Sequence, residues 1–323
     1  MLHLRVIAPA DLRGPILNVL HGEPGVTHLV VHAGAAVDPA GDEITADVAR
    51  EAANDVVERL KSLDVHHFGA ITMEVLDTVL SSAAHHAEEA ADGDAADAVI
   101  WDELVSRTRE ESSLSVNFLM FLCIACLLAA VGVVTDSAVT VVGAMVVGPE
   151  FGPLAALAVA VVHRRVSLAR QAAAALLIGF PLAMIVTAVA TVAFEALGWV
   201  QLTTITELTQ VDFIFQVGPF SLVVALLAGA AGMLSLVSAK SSALVGVFIS
   251  VTTVPAAGFA VVAATVGDWD VAARSALQLG VNLVGITVAG VLVLAVYRRT
   301  MARRRVTGGR GPSPERTSRS RQR

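Results

Sequence analysis

One carboxylate stands out because of the residues that surround it. Glu150 lies in a long apolar stretch between Pro149 and Pro153, where a charged side chain is costly unless it is paired, protonated or facing water. The prolines and Gly152 interrupt helical hydrogen bonding, which membranes tolerate only where protein or a water-filled cavity surrounds the backbone. Glu150 is therefore a candidate for binding a cation or a proton. The alternative is a structural glutamate near one membrane interface.

A second group of polar residues occupies the corresponding place later in the chain. Thr252, Thr253 and Pro255 close a glycine-containing apolar stretch, and Asn282 lies inside the last one. A threonine hydroxyl often only bonds a carbonyl of its own helix, whereas an asparagine in hydrocarbon needs a partner. The candidate residues of a substrate or ion pathway are Glu150, Pro149, Gly152, Pro153, Thr252, Thr253, Pro255 and Asn282.

Six long apolar stretches carry these residues. The chain is 55% apolar and 16% charged, with a mean hydropathy of +0.71, unlike a soluble domain. A helix needs about 20 apolar residues to cross the hydrocarbon of a bilayer. The sequence predicts spans at residues 117–134, 138–162, 172–197, 217–237, 243–266 and 276–297. In the alternative, the broken second and fifth stretches re-enter the membrane and four spans remain.

The six stretches fall into two groups of three, each with a proline- and glycine-broken stretch in the middle, at residues 143–153 and 246–255. A repeated unit with an odd number of spans must be inverted in the membrane. Broken helices at matching positions are typical of transporters built in this way. The predicted fold class is an α-helical polytopic membrane domain of six spans with an inverted 3+3 repeat.

The charges of the loops predict how the chain is oriented. Basic residues collect in cytoplasmic loops, and the start of the chain has no basic segment typical of a signal peptide. We expect a multi-pass protein of the inner (plasma) membrane with both termini in the cytoplasm. The inside loops would hold Arg164, Arg165, Lys240, Arg298 and Arg299, and the outside loops Asp136, Glu207, Asp212, Asp268 and Asp270, with Arg274 as the exception.

Residues 1–82 predict a small α+β domain ahead of the spans. Apolar residues alternate along residues 2–7, 26–32, 44–48 and 71–75, as in half-buried strands. A helix is predicted after Asp11, which could cap it, and another at residues 51–63. The order βαββαβ is the ferredoxin-like arrangement. That fold hosts many functions, so it indicates a cytoplasmic sensing or assembly module without naming one.

The remaining segments complete the domain organisation. Residues 83–112 are an acidic linker with a juxtamembrane helix, 113–298 the six-span domain, and 299–323 a basic disordered tail. Residues 1–112 hold 21 acidic and 7 basic side chains, which argues against a nucleic-acid partner. The expected partners are the lipid bilayer, a small solute or ion and, through the glycines of the spans, a second copy of the chain.

No pattern of catalytic or metal-binding residues emerges. Cys123 and Cys126 share one apolar stretch without further ligands, and the pairs His66–His67 and His85–His86 would point apart on a regular element. Phosphate-binding loops, dinucleotide fingerprints and nucleophile elbows are missing from the sequence. We therefore expect no enzyme, no cofactor and no metal.

Several motifs in series resemble a known family. They are residues 111–118, 143–153, 228–232, 244–255 and 282–286. In this order they resemble the domain-of-unknown-function 389 family, a group of bacterial membrane proteins. Glu150 departs from the apolar residue expected between the first prolines, and Ala256 stands where a second proline is common. The resemblance implies the architecture and adds no substrate.

These features support one leading interpretation and one alternative. The first is a transporter or channel-like conduit for a small solute or ion, with a cytoplasmic regulatory domain. The second is a non-transporting membrane sensor or scaffold whose soluble domain binds a ligand or partner.

Overall fold

The computed structural model describes residues 1–91, 99–199, 219–237 and 253–308. The amino-terminal part contains the predicted four-stranded antiparallel sheet, with strands in the order β2-β3-β1-β4. These are β1 (Leu2–Ala8), β2 (Val26–Val37), β3 (Ala40–Val48) and β4 (Ala70–Val75), and the helices between them are α1 (Arg13–His21), α2 (Ala53–Ser62) and the short α3 (Val65–Phe68). Leu2, Leu4 and Val6 alternate into a core against α1 and α2.

Two local details of this domain differ from the predictions. The strands predicted at residues 26–32 and 44–48 are longer, because β2 and β3 pair up to Val37 and Ala40. Backbone pairing overrides the low strand propensity of the alanines and glycines in this extension. Asp11 does not cap a helix, because it lies in a 3-10 turn, Ala10–Leu12, before α1. Within the predicted linker, α4 (Ser82–Ala90) folds against β2.

A partly buried ion pair fixes the hairpin to α1. Asp42 is only 1% exposed; it accepts hydrogen bonds from Arg13 Nε at 2.6 Å and from the Gly34 backbone N–H at 2.8 Å. The Arg13 guanidinium and the Gly34 N–H together hold the pKa of Asp42 below its usual value. The ionised carboxylate is therefore the form that the folded domain favours.

Replacing Asp42 by asparagine should change how stability depends on pH. A lowered folded-state pKa contributes stability that is present above the unfolded value of about 3.9 and is lost as the pH falls through the folded value. Asp42→Asn should therefore unfold at a lower temperature than wild type near pH 7, and this difference should shrink below about pH 4. Thermal unfolding across pH measures it. Asp11→Asn, an exposed aspartate in the same region, should show no such convergence.

The rest of the described chain is helical and apolar. Four helices are long enough to cross a membrane: Val116–Val134, Val166–Ala196, Phe220–Val237 and Trp269–Thr300. A fifth candidate is a pair, Ala138–Val147 and Phe151–His163, that bends by 52°. Four or five candidate spans are thus present in the described residues, and the predicted six are not confirmed. Part of the predicted fifth span, residues 243–252, lies outside the described residues.

These helices pack into one bundle. They are α5 (Trp101–Glu111), α6 (Val116–Val134), α7 (Ala138–Val147), α8 (Phe151–His163), α9 (Val166–Ala196), α10 (Pro219–Val237), α11 (Val254–Val266) and α12 (Trp269–Gly308). Helix α6 contacts α7, α9 and α11, while α12 contacts α8, α10 and α11. The main core lies where α6, α8, α9, α11 and α12 meet.

The basic loops lie at one end of the bundle, and the loops that contain Asp136 and Asp268 lie at the other. Arg298 Nη1 donates to the carbonyl oxygen of Val162 at 2.6 Å, which brings the basic end of α12 beside the basic α8–α9 loop. At the other end, one apolar cluster joins the end of α6 and start of α7 to the end of α11 and start of α12. The loops that contain Asp136 and Asp268 therefore share an end.

Candidate functional site

A buried hydrogen bond joins the first and second halves of the helical region. Thr253 Oγ1 donates to Glu150 Oε1 at 2.6 Å, although the two residues lie 103 positions apart. Both residues are 0% exposed. Thr253 therefore does not bond a carbonyl of its own helix, in contrast to Thr187 and Thr191 of α9, which do. Glu150 is enclosed by protein and does not reach the surface.

Two helices begin at this hydrogen bond. Glu150 is the residue before α8 and Thr253 the residue before α11, and neither side chain caps its own helix. The first N–H groups of a helix have no partner within it, and they form its positive end. Two such ends lie beside the hydrogen bond between Thr253 and Glu150. The site thus combines a buried carboxylate, a hydroxyl and two helix N-termini.

Prolines lie in the first turns of α8 and α11. Pro153 is the third residue of α8, and Pro255 lies in the first turn of α11. A proline in the first turn removes no helical hydrogen bond, because a backbone N–H at that position has no acceptor within the helix. Pro149 lies in the three-residue break between α7 and α8 and is half-buried. The prolines therefore position the N-termini of α8 and α11, and Thr252 lies outside the described residues.

A second polar group lies on α12. Asn282 is fully buried, and its Oδ1 accepts a hydrogen bond from Gln278 Nε2 at 3.1 Å. The same Gln278 amide also contacts Ser221 Oγ on α10. Asn282 was named as a candidate from the sequence, but Gln278, Ser221 and the buried Ser275 were not. The spacing of residues 275, 278 and 282 along one helical face could have revealed this polar stripe.

Both polar groups border the same apolar core. Val254 and Ala256 flank Thr253 on α11, while Leu279 and Ile286 lie on either side of Asn282 on α12. All four side chains belong to one buried cluster. The structure therefore brings Glu150, Thr253 and Asn282 into one region of the bundle.

Gly152 lies where the start of α8 packs closely against α5. A Cβ atom there would lie 2.7 Å from Glu111 Cβ and 2.8 Å from the Glu111 carbonyl oxygen. Gly152 is therefore required for close packing between the start of α8 and the end of α5. Along the same contact, Leu104 and Val105 of α5 pack against α8.

The other end of α5 is held by the sheet domain. Asn54 of α2 accepts a hydrogen bond from the Trp101 N–H at 3.2 Å, and Lys61 Nζ pairs with Asp102 at 2.6 Å. A cavity of about 570 Å³ lies beside this junction, with Val57, Lys61, His66, Met73, Ile100, Asp102 and Glu103 among its lining residues. This cavity was not predicted from the sequence. Helix α5 thus connects the sheet domain to the helix that begins beside Glu150.

The comparisons with known proteins concern the region that contains this site. The model of the family described as "Domain of unknown function (DUF389)" matches residues 145–288, which include Glu150, Thr253, Gln278 and Asn282. No curated protein and no solved structure matches the chain. This match to residues 145–288 is consistent with the family resemblance of the sequence motifs.

Proposed function

We propose that this chain is a transporter or channel-like conduit for a small solute or ion, with Glu150 as the group that binds the ion or proton. The observation that carries the proposal is the Thr253–Glu150 hydrogen bond, buried between the starts of two half-helices. Ionisable residues inside membrane bundles are costly, and they mark ion paths and proton relays. Broken helices whose N-termini converge form the substrate sites of many secondary transporters.

An inverted repeat would explain why the starts of α8 and α11 lie next to each other. Helices α8 and α11 both contain 13 residues and follow the two site residues. Helix α8 contacts α12 of the second half, and α11 contacts α9 of the first half, as two exchanged half-helices would. In the six-span arrangement, the fifth span would consist of the apolar sequence from residue 243 followed by α11. The polar face of α12 would line the route toward Glu150.

The amino-terminal domain would regulate the conduit. We take it as a ferredoxin-like module on the cytoplasmic face of the inner membrane. Its α2 holds the start of α5, and the end of α5 packs against Gly152, two residues from Glu150. A displacement of the sheet domain would therefore be transmitted to the start of α8.

A sensor without transport is the second candidate, and the cavity at the α5 junction favours it. In that case a ligand bound beside Asp102 and Glu103 would act on α5 and the bundle would serve as an anchor. Vesicles that contain the protein separate the two functions. Entry of H⁺ or Na⁺ above that of protein-free vesicles supports a conduit, whereas folded protein that admits neither favours the sensor.

Thiol labelling of intact cells tests the orientation. Asp270→Cys should react with a membrane-impermeant maleimide, and Arg165→Cys should react only after the membrane is permeabilised. Both positions are exposed and lie at opposite ends of the bundle, and the positive-inside bias places the basic end in the cytoplasm. The unsubstituted chain controls for Cys123 and Cys126. The reverse labelling pattern would reject the proposed orientation.

A further inference from the structure

The histidines that precede the first apolar helix differ in whether their side chains form hydrogen bonds or ion pairs. Eight of the nine histidines precede the first apolar helix, and six of these eight contact a carboxylate or a backbone carbonyl. The contacts are Asp47 for His3 and His28, Glu43 for His32, Glu89 for His85, and the carbonyls of Leu17 and Ser82 for His21 and His86. Among the described residues, no hydrogen bond or ion pair engages the side chains of His66 and His67.

These two histidines lie beside an aspartate. Their ring centroids are 4.1 Å apart. Asp64 precedes α3 in the left-handed conformation, with φ of 57°, and its side chain does not cap that helix. One carboxylate oxygen of Asp64 and one ring nitrogen of each histidine all lie within 4.8 Å of one another. Three potential ligand atoms therefore converge on one exposed point.

We propose that Asp64, His66 and His67 form a binding site for a divalent transition metal such as Zn²⁺. Two imidazoles and one carboxylate suit zinc and its neighbours, whereas Mg²⁺ and Ca²⁺ prefer oxygen ligands alone. Small side-chain rotations would bring the three atoms to coordination distance, because all three residues are exposed. The expectation that the two histidines point apart assumed a regular strand or helix. Helix α3 has only four residues.

The proposed metal site lies next to the contact between the sheet domain and α5. His66 also lines the cavity between the sheet domain and α5, together with Asp102 and Glu103. Three protein ligands leave coordination positions for water or another ligand. A metal at this point would therefore lie at the junction between the sheet domain and the helical bundle.

Zinc titration of the full-length, untagged protein in detergent tests the site. Calorimetry should find one Zn²⁺ bound per chain, with excess Mg²⁺ failing to compete, and excess Zn²⁺ should raise the unfolding temperature. The His66→Ala/His67→Ala variant should bind at least about tenfold more weakly, since loss of even an outer-shell partner costs that much. Asp64→Asn should also weaken binding, because asparagine keeps the left-handed conformation but removes the charge.

A second histidine pair provides the matched control. His85 and His86 are also adjacent and exposed, but both are engaged on α4. The His85→Ala/His86→Ala variant should retain wild-type affinity for Zn²⁺. Equal zinc binding by wild type and the His66→Ala/His67→Ala variant would overturn the proposal. So would full affinity in Asp64→Asn, or equal competition by Mg²⁺.

Discussion

Glu150→Gln should abolish the H⁺ or Na⁺ entry that the wild-type protein supports in reconstituted vesicles. Glutamine resembles the protonated carboxyl group and its Oε1 can still accept the hydrogen bond from Thr253. The hydrogen bond that links the starts of α8 and α11 should therefore persist while the exchangeable charge is lost. Entrapped pH- and Na⁺-sensitive dyes, under an imposed membrane potential, measure the entry of each ion.

A carboxylate outside the site provides the control for this variant. Glu195 lies on an exposed turn at the end of α9, so Glu195→Gln should leave ion entry unchanged. Thr253→Val keeps the shape of the side chain but removes the donor, which should destabilise the bundle by about 1–3 kcal/mol. In the Glu150→Gln background the same change should cost less, because the acceptor is no longer charged. Wild-type ion entry in Glu150→Gln would assign Glu150 a structural role.

Glu150 and Thr253 could both be named as candidates from the sequence, but the hydrogen bond between them could not be predicted. Glu150 is conspicuous because a carboxylate is rare in an apolar stretch. Its partner is 103 residues away, and no local pattern distinguishes Thr253 from threonines such as Thr187 that bond their own helix. The pairing depends on how two broken helices cross, which is a property of tertiary packing.

The fold was predictable where a pattern repeats within one element. Alternation along Leu2, Leu4 and Val6 was sufficient to predict β1, and long apolar runs were sufficient to predict α6 and α9. The extension of β2 and β3 beyond the predicted strands was missed because alanine and glycine carry almost no strand signal. Asp64 was missed as a neighbour of His66 because its left-handed backbone conformation is not visible in sequence.

Alanine should destabilise the bundle at Gly229 but not at Gly280. A Cβ atom at Gly229 of α10 would lie 2.6 Å from the carbonyl oxygen of Ile286 and 2.7 Å from its Cα, both on the backbone of α12. Neither contact can be relieved by a side-chain rotation, so Gly229→Ala must separate the two helices. Overpacking of this kind costs about 1–3 kcal/mol. Gly280 has nothing within 4 Å of such an atom, so alanine there should be neutral or stabilise α12 by up to about 1 kcal/mol.

A thiol-reactive dye can follow the unfolding of the bundle, since Cys126 is fully buried in α6 and becomes reactive as the helices separate. For a bundle of this size, each kcal/mol should shift the midpoint by about 2–4 °C. Gly229→Ala should therefore lower the midpoint, and Gly280→Ala should leave it unchanged or raise it. The separation of α10 from α12 would also strain the contact between Ser221 and Gln278, so Gly229→Ala should reduce ion entry as well. Equal midpoints for the two variants would show that α10 and α12 do not approach as closely as Gly229 and Ile286 indicate.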